Sequence, residues 1–218
     1  MLDSLLVLMA YLLGSIPSAV WVSKHFYGMD IREHGSGNAG ATNTFRVLGK
    51  NAGIIVMVAD MLKGFLAVKL SLLSHHTWYP EPSVSCVNLQ VALGIASVLG
   101  HIFPIWAGFR GGKGIATLFG MILGIQPIVA VSLIGVFMLM LFATRYVSLS
   151  SICASIAFPL LIVFIFRAPE LSYKIFAIGT AALVILTHHK NITRLITGCE
   201  NKVPLFKKRD KSSCDDQE

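Results

Sequence analysis

Long apolar runs alternate with short polar stretches along this chain of 218 residues. A helix needs about 20 mainly apolar residues to cross the hydrocarbon core of a bilayer, and fewer where the bilayer is thin. The pattern therefore predicts membrane-spanning helices. We place seven of them at residues 3–23, 52–72, 88–107, 114–125, 127–143, 150–166 and 171–187.

Two of the apolar regions contain residues that interrupt a regular helix. Gly14 and Pro17 lie in the first run, where a neighbouring helix or side chain must satisfy the freed backbone groups. Gln126 and Pro127 divide 114–143. We interpret this region as two short helices, because about 30 residues exceed what one span needs. One long kinked helix is the alternative.

Composition supports a membrane protein. The chain is 55% hydrophobic and 13% charged, with a mean hydropathy of +0.71, whereas charged residues make up about a quarter of soluble domains. The four cysteines lie far apart without a CxxC pair, which gives no sign of a zinc site or a disulfide framework. The predicted fold class is all-α, a polytopic membrane protein formed by residues 1–202. The charged tail, 203–218, is expected to be disordered.

The basic residues are distributed unevenly between the two sides of this seven-helix arrangement. Fourteen Lys and Arg residues fall on one side and two on the other, with the remaining two inside the second span. The positive-inside rule then places the N-terminus outside and the C-terminus in the cytoplasm, and the net charge of +7 needs no nucleic-acid partner. Every unusual polar stretch falls on the cytoplasmic side, which predicts a site there. These stretches are 34–50, 108–114, 145–151 and 188–202.

The first polar stretch, 34–50, reads HGSGNAGATNTFRVLGK. Its glycines permit tight turns that expose backbone N–H groups, and Ser36 and Asn38 add short polar side chains. Arg46 supplies a cationic fork that suits phosphate or carboxylate. An oxyanion cradle and an ordinary membrane-border loop are both consistent with this stretch. The G-x-G-x-x-G match at 35–40 lacks the strand that a dinucleotide site requires.

The second polar stretch, 108–114, reads GFRGGKG. It fails the Walker A pattern, because the glycine spacing is short by one and Gly114 replaces the Ser or Thr that would hold magnesium. Lys113 nevertheless stands at the start of the next predicted helix, where an anion is favoured. Anchoring at the membrane border is the alternative for Arg110 and Lys113.

The last two polar stretches contain hydroxyl, imidazole and amide side chains at helical spacing. Ser148 and Ser151 are three residues apart at a predicted helix start, so helix capping is the alternative to a functional role. His188, Asn191 and Arg194 share one helical face and can face an anion, or else belong to a solvated juxtamembrane helix.

Charged residues also occur inside the apolar runs. Asp60 and Lys63 share a face of the second run and can pair, either to fix helix packing or to serve a site. His101 is expected to pack at a helix end. A transporter is the rival class for a protein with intramembrane charges, but the polar stretches gather at one face and no inverted repeat is present.

Three segments together resemble a known family. GSGNAGATNTFR, GHIFPIWAGFRGGKGIAT and HHKNITRLITG resemble, in order and spacing, the three cytoplasmic motifs of the bacterial acyl-phosphate:glycerol-3-phosphate acyltransferases. TRYVSLSS and DMLKG are similar as well. The resemblance implies a seven-helix protein of the bacterial inner membrane. It would transfer a fatty acyl group from acyl phosphate to the 1-hydroxyl of sn-glycerol 3-phosphate, giving lysophosphatidic acid and inorganic phosphate as the first step of phospholipid synthesis.

The resemblance also implies partners and residue roles. The expected partners are long-chain acyl phosphate, glycerol 3-phosphate and the lipid bilayer, with no cofactor, metal or obligate protein partner. Arg110 stands where the family usually has lysine, and Thr187 and His189 stand where it usually has arginine. Either His188 or a substrate phosphate oxygen is the general base. The expected catalytic residues are Ser36, Lys113, His188 and Asn191, and the expected phosphate-binding residues are Ser36, Gly37, Asn38, Arg46, Arg110, Lys113, Ser151, His188 and Asn191.

Overall fold

The computed structural model describes residues 2–74 and 84–203. Every regular element in these residues is helical, which confirms the all-α class. Short 3₁₀ turns occur at Ile31–Glu33, Leu70–Leu73 and Ile105–Ala107, and a π-helical turn at Leu161–Ile165. The α-helices are α1 (Leu2–Gly14), α2 (Ser18–Tyr27), α3 (Ala41–Leu48), α4 (Lys50–Lys69), α5 (Val84–Ile102), α6 (Ile115–Ile125), α7 (Pro127–Thr144), α8 (Val147–Leu160), α9 (Leu171–Thr187) and α10 (His189–Ile196).

All seven predicted apolar runs lie on helical structure. The first run is broken between Gly14 and Ser18, at the interruption that the sequence predicts. The region 114–143 forms two helices, α6 and α7, which meet at Gln126. The two-helix interpretation is therefore confirmed, and the single kinked helix is wrong.

Several helices are long and apolar enough to cross a membrane. Four candidates are Leu2–Tyr27, Cys86–Ala107, Pro127–Thr144 and Val147–Ile165. A fifth arises if α9 and α10, which are bent by 61° at their junction, are counted together. α6 is shorter, at 11 residues, and α4 is not among these candidates. The total of seven spans stays a prediction.

Apolar side chains cover the surface of the candidate spans. In α7, Val131 is 59% exposed, Phe142 64% and Leu139 69%. A continuous apolar surface of this kind is unfavourable in water and is typical of contact with lipid. The exposed face of α7 therefore supports a membrane environment for the helix.

Two short helices lie inside stretches that the sequence pattern marked only as polar. α3 lies within 34–50 and α10 within 188–202, and each is eight residues long. A helix of two turns offers too few positions for a clear 3.6-residue period. Both helices carry predicted site residues, so the polar stretches are more ordered than loops.

The chain divides into two compact units, each considered by itself. The first comprises residues 1–130 with 170–173, and the second comprises 131–169 with 174–218. In the first unit α1 packs against α5 around Leu6, Ala10 and Leu93, all of which are buried.

Glycines allow the helices of the first unit to approach closely. α4 packs against α6, and a Cβ on Gly64 would meet the backbone oxygen of Thr117. A Cβ on Gly120 would likewise meet the backbone oxygen of Met61. Small residues at helix contacts are a common device in membranes, because lipid tails leave van der Waals packing as the main attraction between helices.

Replacement of Gly120 tests this contact. We expect Gly120→Ala to destabilise the protein by roughly 1–3 kcal/mol, since the added methyl group must displace the backbone of α4. Gly135→Ala is the matched control, because a Cβ there meets no atom within 4 Å. The measurement is the melting temperature of each variant in detergent. Equal melting temperatures for the two variants would contradict the close contact.

Candidate active site

Asn43 organises the first glycine-rich loop, residues 34–40. This side chain of α3 is 1% exposed, and its Oδ1 accepts a hydrogen bond of 2.9 Å from the backbone N–H of Ser36. Its Nδ2 donates to the carbonyl oxygens of Ile31 at 3.1 Å and His34 at 2.9 Å. One side-chain amide thus holds both the 3₁₀ turn at Ile31–Glu33 and the loop that follows it.

The predicted residues of the first stretch lie on this loop and on α3. Gly37 has a φ of +70°, a left-handed conformation that favours glycine. Ser36 and Gly37 are exposed, and Asn38 is half-buried. Arg46 is exposed in the last turn of α3. The structure therefore places all four residues within one loop and the helix that follows it.

The second glycine-rich loop, residues 108–114, folds back on the end of α5. The backbone N–H of Gly111 donates to the carbonyl oxygen of Ile102 at 3.1 Å. The backbone N–H of Gly112 donates to the carbonyl oxygen of His101 at 3.2 Å. A Cβ on Gly111 would collide with the His101 carbonyl. The loop can adopt this position because both residues lack side chains.

The two cations of this loop differ in their surroundings. Arg110 is exposed, and Lys113 is half-buried. Gly114, with a φ of +79°, is the N-cap of α6, so Lys113 lies just before a helix N-terminus. Unpaired N–H groups and the helix dipole both favour an anion there.

The two glycine-rich loops are neighbours within the first unit. A Cβ on Gly112 would lie 2.8 Å from the backbone oxygen of Ala39. A second link comes from Arg32, whose Nη1 donates to the carbonyl oxygen of Ala107 at 2.8 Å. The structure therefore brings together two stretches that are more than 60 residues apart in the sequence.

An ion pair holds Arg32 in this bridging position. Its Nε donates to Asp30 Oδ1 at 2.9 Å and its Nη2 to Oδ2 at 2.7 Å, and Lys24 lies 3.2 Å from Oδ2. The hydrogen bonds from Arg32 hold the pKa of the Asp30 carboxyl well below its usual value, despite partial burial. Because the folded pKa is lowered, the stabilisation from this pair is present at neutral pH and is lost only in strong acid.

Ser148 and Ser151 lie in the second unit, inside α8. The helix begins at Val147, and its N-cap residue, Tyr146, makes no side-chain capping bond. The interpretation of the two serines as helix caps is therefore wrong. Both are buried; Ser151 donates to the Val147 carbonyl at 2.9 Å.

His188 lies at the bend between α9 and α10 and is 4% exposed. Its Nδ1 is 2.8 Å from the carbonyl oxygen of Val184. A carbonyl oxygen only accepts, so Nδ1 carries the hydrogen, and Nε2 carries the lone pair when the ring is neutral. In this tautomer Nε2 is the ring nitrogen that can accept a proton.

Glu200 connects the remaining polar residues of the second unit. Its Oε1 accepts from Ser148 Oγ at 2.8 Å and from Asn191 Nδ2 at 2.7 Å. Arg194 Nε lies 3.2 Å from its Oε2. Asn191 and Arg194 therefore do share a helical face, and the anion that they contact in this structure is the carboxylate of Glu200.

Sequence reasoning missed Glu200, although one signal was present. It is the only acid between Glu170 and Asp210, in a stretch rich in basic residues. A lone carboxylate in such surroundings is a candidate for buried pairing. It is 9% exposed here, as expected for a carboxylate with several donors.

A family model for glycerol-3-phosphate acyltransferase matches residues 4–198. The chain belongs to the glycerol-3-phosphate acyltransferase family. This finding confirms the resemblance that the sequence motifs carry.

Relatives of this family match the chain over nearly its full length. A glycerol-3-phosphate acyltransferase of Bacillus cytotoxicus is 48% identical over 208 residues, covering 94% of this chain and 97% of the relative. One from Chlorobium phaeobacteroides (strain BS1) is 39% identical over 227 residues, covering 92% and 97%.

Two solved structures share the fold. Both are crystal structures of PlsY (YgiH), an integral membrane glycerol 3-phosphate acyltransferase, at 38% identity. The glycerol 3-phosphate form aligns with a TM-score of 0.80 over 92% of this chain and 95% of that structure. The lysophosphatidic acid form aligns with a TM-score of 0.77 over 92% and 94%.

Glu200 provides a test of the second unit. We expect Glu200→Gln to lower the melting temperature, because the amide places a buried NH₂ group where Oε2 faces Arg194 Nε and removes the negative charge of that pair. Leaving a buried donor without an acceptor costs about 1–3 kcal/mol. Glu33→Gln, at an exposed carboxylate, is the control and should change little. An unchanged melting temperature for Glu200→Gln would show that the carboxylate does not hold this cluster together.

Proposed function

We propose that this chain transfers a fatty acyl group from acyl phosphate to the 1-hydroxyl of sn-glycerol 3-phosphate. The products are lysophosphatidic acid and inorganic phosphate, in the first step of phospholipid synthesis. Family membership supports glycerol 3-phosphate as the acyl acceptor. The two PlsY structures are the glycerol 3-phosphate form and the lysophosphatidic acid form. The observation that carries the proposal furthest is the contact between the two glycine-rich loops at Gly112 and Ala39.

Phosphate binding is the task that this pair of loops suits best. Both substrates carry phosphate, so their mutual repulsion must be offset before they can react. Backbone N–H groups and cations that are fixed in place do this without reorganisation during the reaction. We assign phosphate binding to Ser36, Gly37, Asn38, Arg46, Arg110 and Lys113, with Ser36 and Lys113 also stabilising charge that develops during transfer.

The chemistry needs no protein nucleophile, because acyl phosphate carries its own leaving group. The glycerol hydroxyl oxygen attacks the acyl carbon, the bond from that carbon to the phosphate oxygen breaks, and the phosphate departs with the bonding electrons. The hydroxyl proton passes either to His188 or to a phosphate oxygen of the substrate. The Nδ1 hydrogen bond to Val184 supports His188 as an acceptor, since it leaves the lone pair on Nε2.

Asn191 and Ser151 complete the proposed assignments in the second unit. We assign phosphate binding to both, together with His188, on the basis of the family resemblance. Asn191 is held by Glu200, so its amide is already oriented before any substrate arrives. Preorganised donors of this kind contribute more to catalysis than mobile ones.

We also propose the membrane arrangement that the charge pattern predicts. Seven spans, with α4 and α6 completing the five apolar candidates, place the N-terminus outside and the C-terminus in the cytoplasm. The protein would then lie in the bacterial inner membrane with its active site facing the cytoplasm. Residues 1–202 form the membrane domain in this proposal, and 204–218 lie outside the described residues.

Substitution of two cations tests the proposal. Purified wild-type protein should convert acyl phosphate and glycerol 3-phosphate to lysophosphatidic acid and inorganic phosphate. Arg46→Ala and Lys113→Ala should each lose activity by roughly 30-fold to several thousand-fold, since losing a charge-assisted phosphate contact costs on the order of 2–5 kcal/mol.

Lys50→Ala is the control for this test, because Lys50 is an exposed cation at the start of α4. It should retain near-normal activity. Product formation is measured with each variant at matched expression and membrane insertion. Near-normal rates for both Arg46→Ala and Lys113→Ala would refute the phosphate assignment, and a wild-type protein without product would refute the function.

A further inference from the structure

Three ionisable side chains form a buried cluster that the proposed chemistry does not use. Asp60 is 1% exposed, Lys63 4% and His101 6%. Lys63 Nζ lies 2.9 Å from Asp60 Oδ1, which confirms the predicted pairing along α4. His101 Nδ1, from the end of α5, lies 3.5 Å from the same oxygen.

The cluster is tied to a third part of the first unit. Lys63 Nζ also donates to the carbonyl oxygen of Ile16 at 2.8 Å. Ile16 lies in the break between α1 and α2, where carbonyl groups lack helical partners. The cluster therefore fixes α4, α5 and this break to one another, and Lys63 keeps the Asp60 charge paired.

His101 connects this cluster directly to the second glycine-rich loop. Its carbonyl accepts from the N–H of Gly112, and its ring nitrogen Nε2 lies where a Cβ on Gly112 would fall. The neighbouring carbonyl of Ile102 accepts from Gly111. The loop thus rests on the last turn of α5, and the His101 imidazole lies against Gly112.

The imidazole of His101 lies between Asp60 and the second glycine-rich loop. At 3.5 Å and without hydrogen-bond geometry, the Asp60 carboxylate acts on the ring electrostatically, and it attracts the side of the imidazole that carries Nδ1. Nδ1 faces Asp60, so the opposite edge of the ring, with Nε2, faces Gly112. A shift of the ring would move the turn that places Lys113.

We propose that the Asp60–Lys63–His101 cluster positions the loop 108–114 for phosphate binding, with His101 as the positioning residue on which Gly112 rests. This inference rests on the proposed function for the identity of the bound phosphate. His101 acts through the loop and touches no reacting atom. The cluster thereby links intramembrane helix packing to the geometry of the phosphate site.

The test replaces His101 with an aromatic ring of similar size that lacks both nitrogens. In His101→Phe, backbone hydrogen exchange of the peptide that covers 108–114 should be at least tenfold faster than in wild type. The KM for at least one of the two phosphate substrates should rise at least tenfold. A loss of stability alone would not move this KM.

Lys69→Met is the matched control. Lys69, at the end of α4, also donates its ammonium hydrogen to a carbonyl oxygen, that of Gly124, at 3.0 Å. Its loss should lower the melting temperature while loop exchange and both KM values stay near wild type. If His101→Phe does not fold, Asp60→Asn with Lys63→Met removes both buried charges together. This double variant should also speed exchange in the loop.

Each outcome decides the inference. Faster loop exchange with a raised KM supports it. Unchanged loop exchange overturns it, and so does faster exchange with both KM values unchanged. If wild-type protein makes no product from acyl phosphate, the proposed function fails separately. The positioning of the loop is then decided by hydrogen exchange, which needs no acyl donor.

Discussion

The hydrogen bonds from Gly111 and Gly112 to the last turn of α5 are the constraint on which the proposed phosphate site of the first unit depends. They form only because neither residue has a side chain, and they bring the loop against both the His101 ring and the Ala39 carbonyl. Lys113 follows directly, at the start of α6. A backbone contact at the end of a membrane helix thus sets where a cation and a helix N-terminus lie together, the place where we propose that a phosphate binds.

The second unit shows a different way of fixing polar groups. One buried carboxylate, Glu200, takes hydrogen bonds from Ser148 and Asn191 and pairs with Arg194. Such a network is favourable only when its members are satisfied together, because an isolated buried charge is costly. Its role in the proposed chemistry is to orient Asn191. The hydroxyl proton still passes to His188 or to the substrate phosphate, and not to Glu200.

The sequence predicted those features that follow from long patterns or short spacing. Apolar runs located the helices, Gly14 and Pro17 located the first break, and the i, i+3 spacing predicted the Asp60–Lys63 pair. Features that depend on distant contacts could not be read in this way. Asn43 contacts the first loop, and His101 contacts Asp60, across separate elements of the chain. The helix α3 was missed because it is too short for a clear helical period.

In the proposed reaction, fixed phosphate-binding groups and a built-in leaving group replace a protein nucleophile. The most direct measurement mixes the enzyme with radiolabelled acyl phosphate in the absence of glycerol 3-phosphate, quenches in acid and analyses the protein. Direct transfer predicts no covalent label on the protein and sequential kinetics with both substrates. Stoichiometric label on a Ser or Cys, such as Ser36, Ser151 or Cys199, that then passes into lysophosphatidic acid would contradict it.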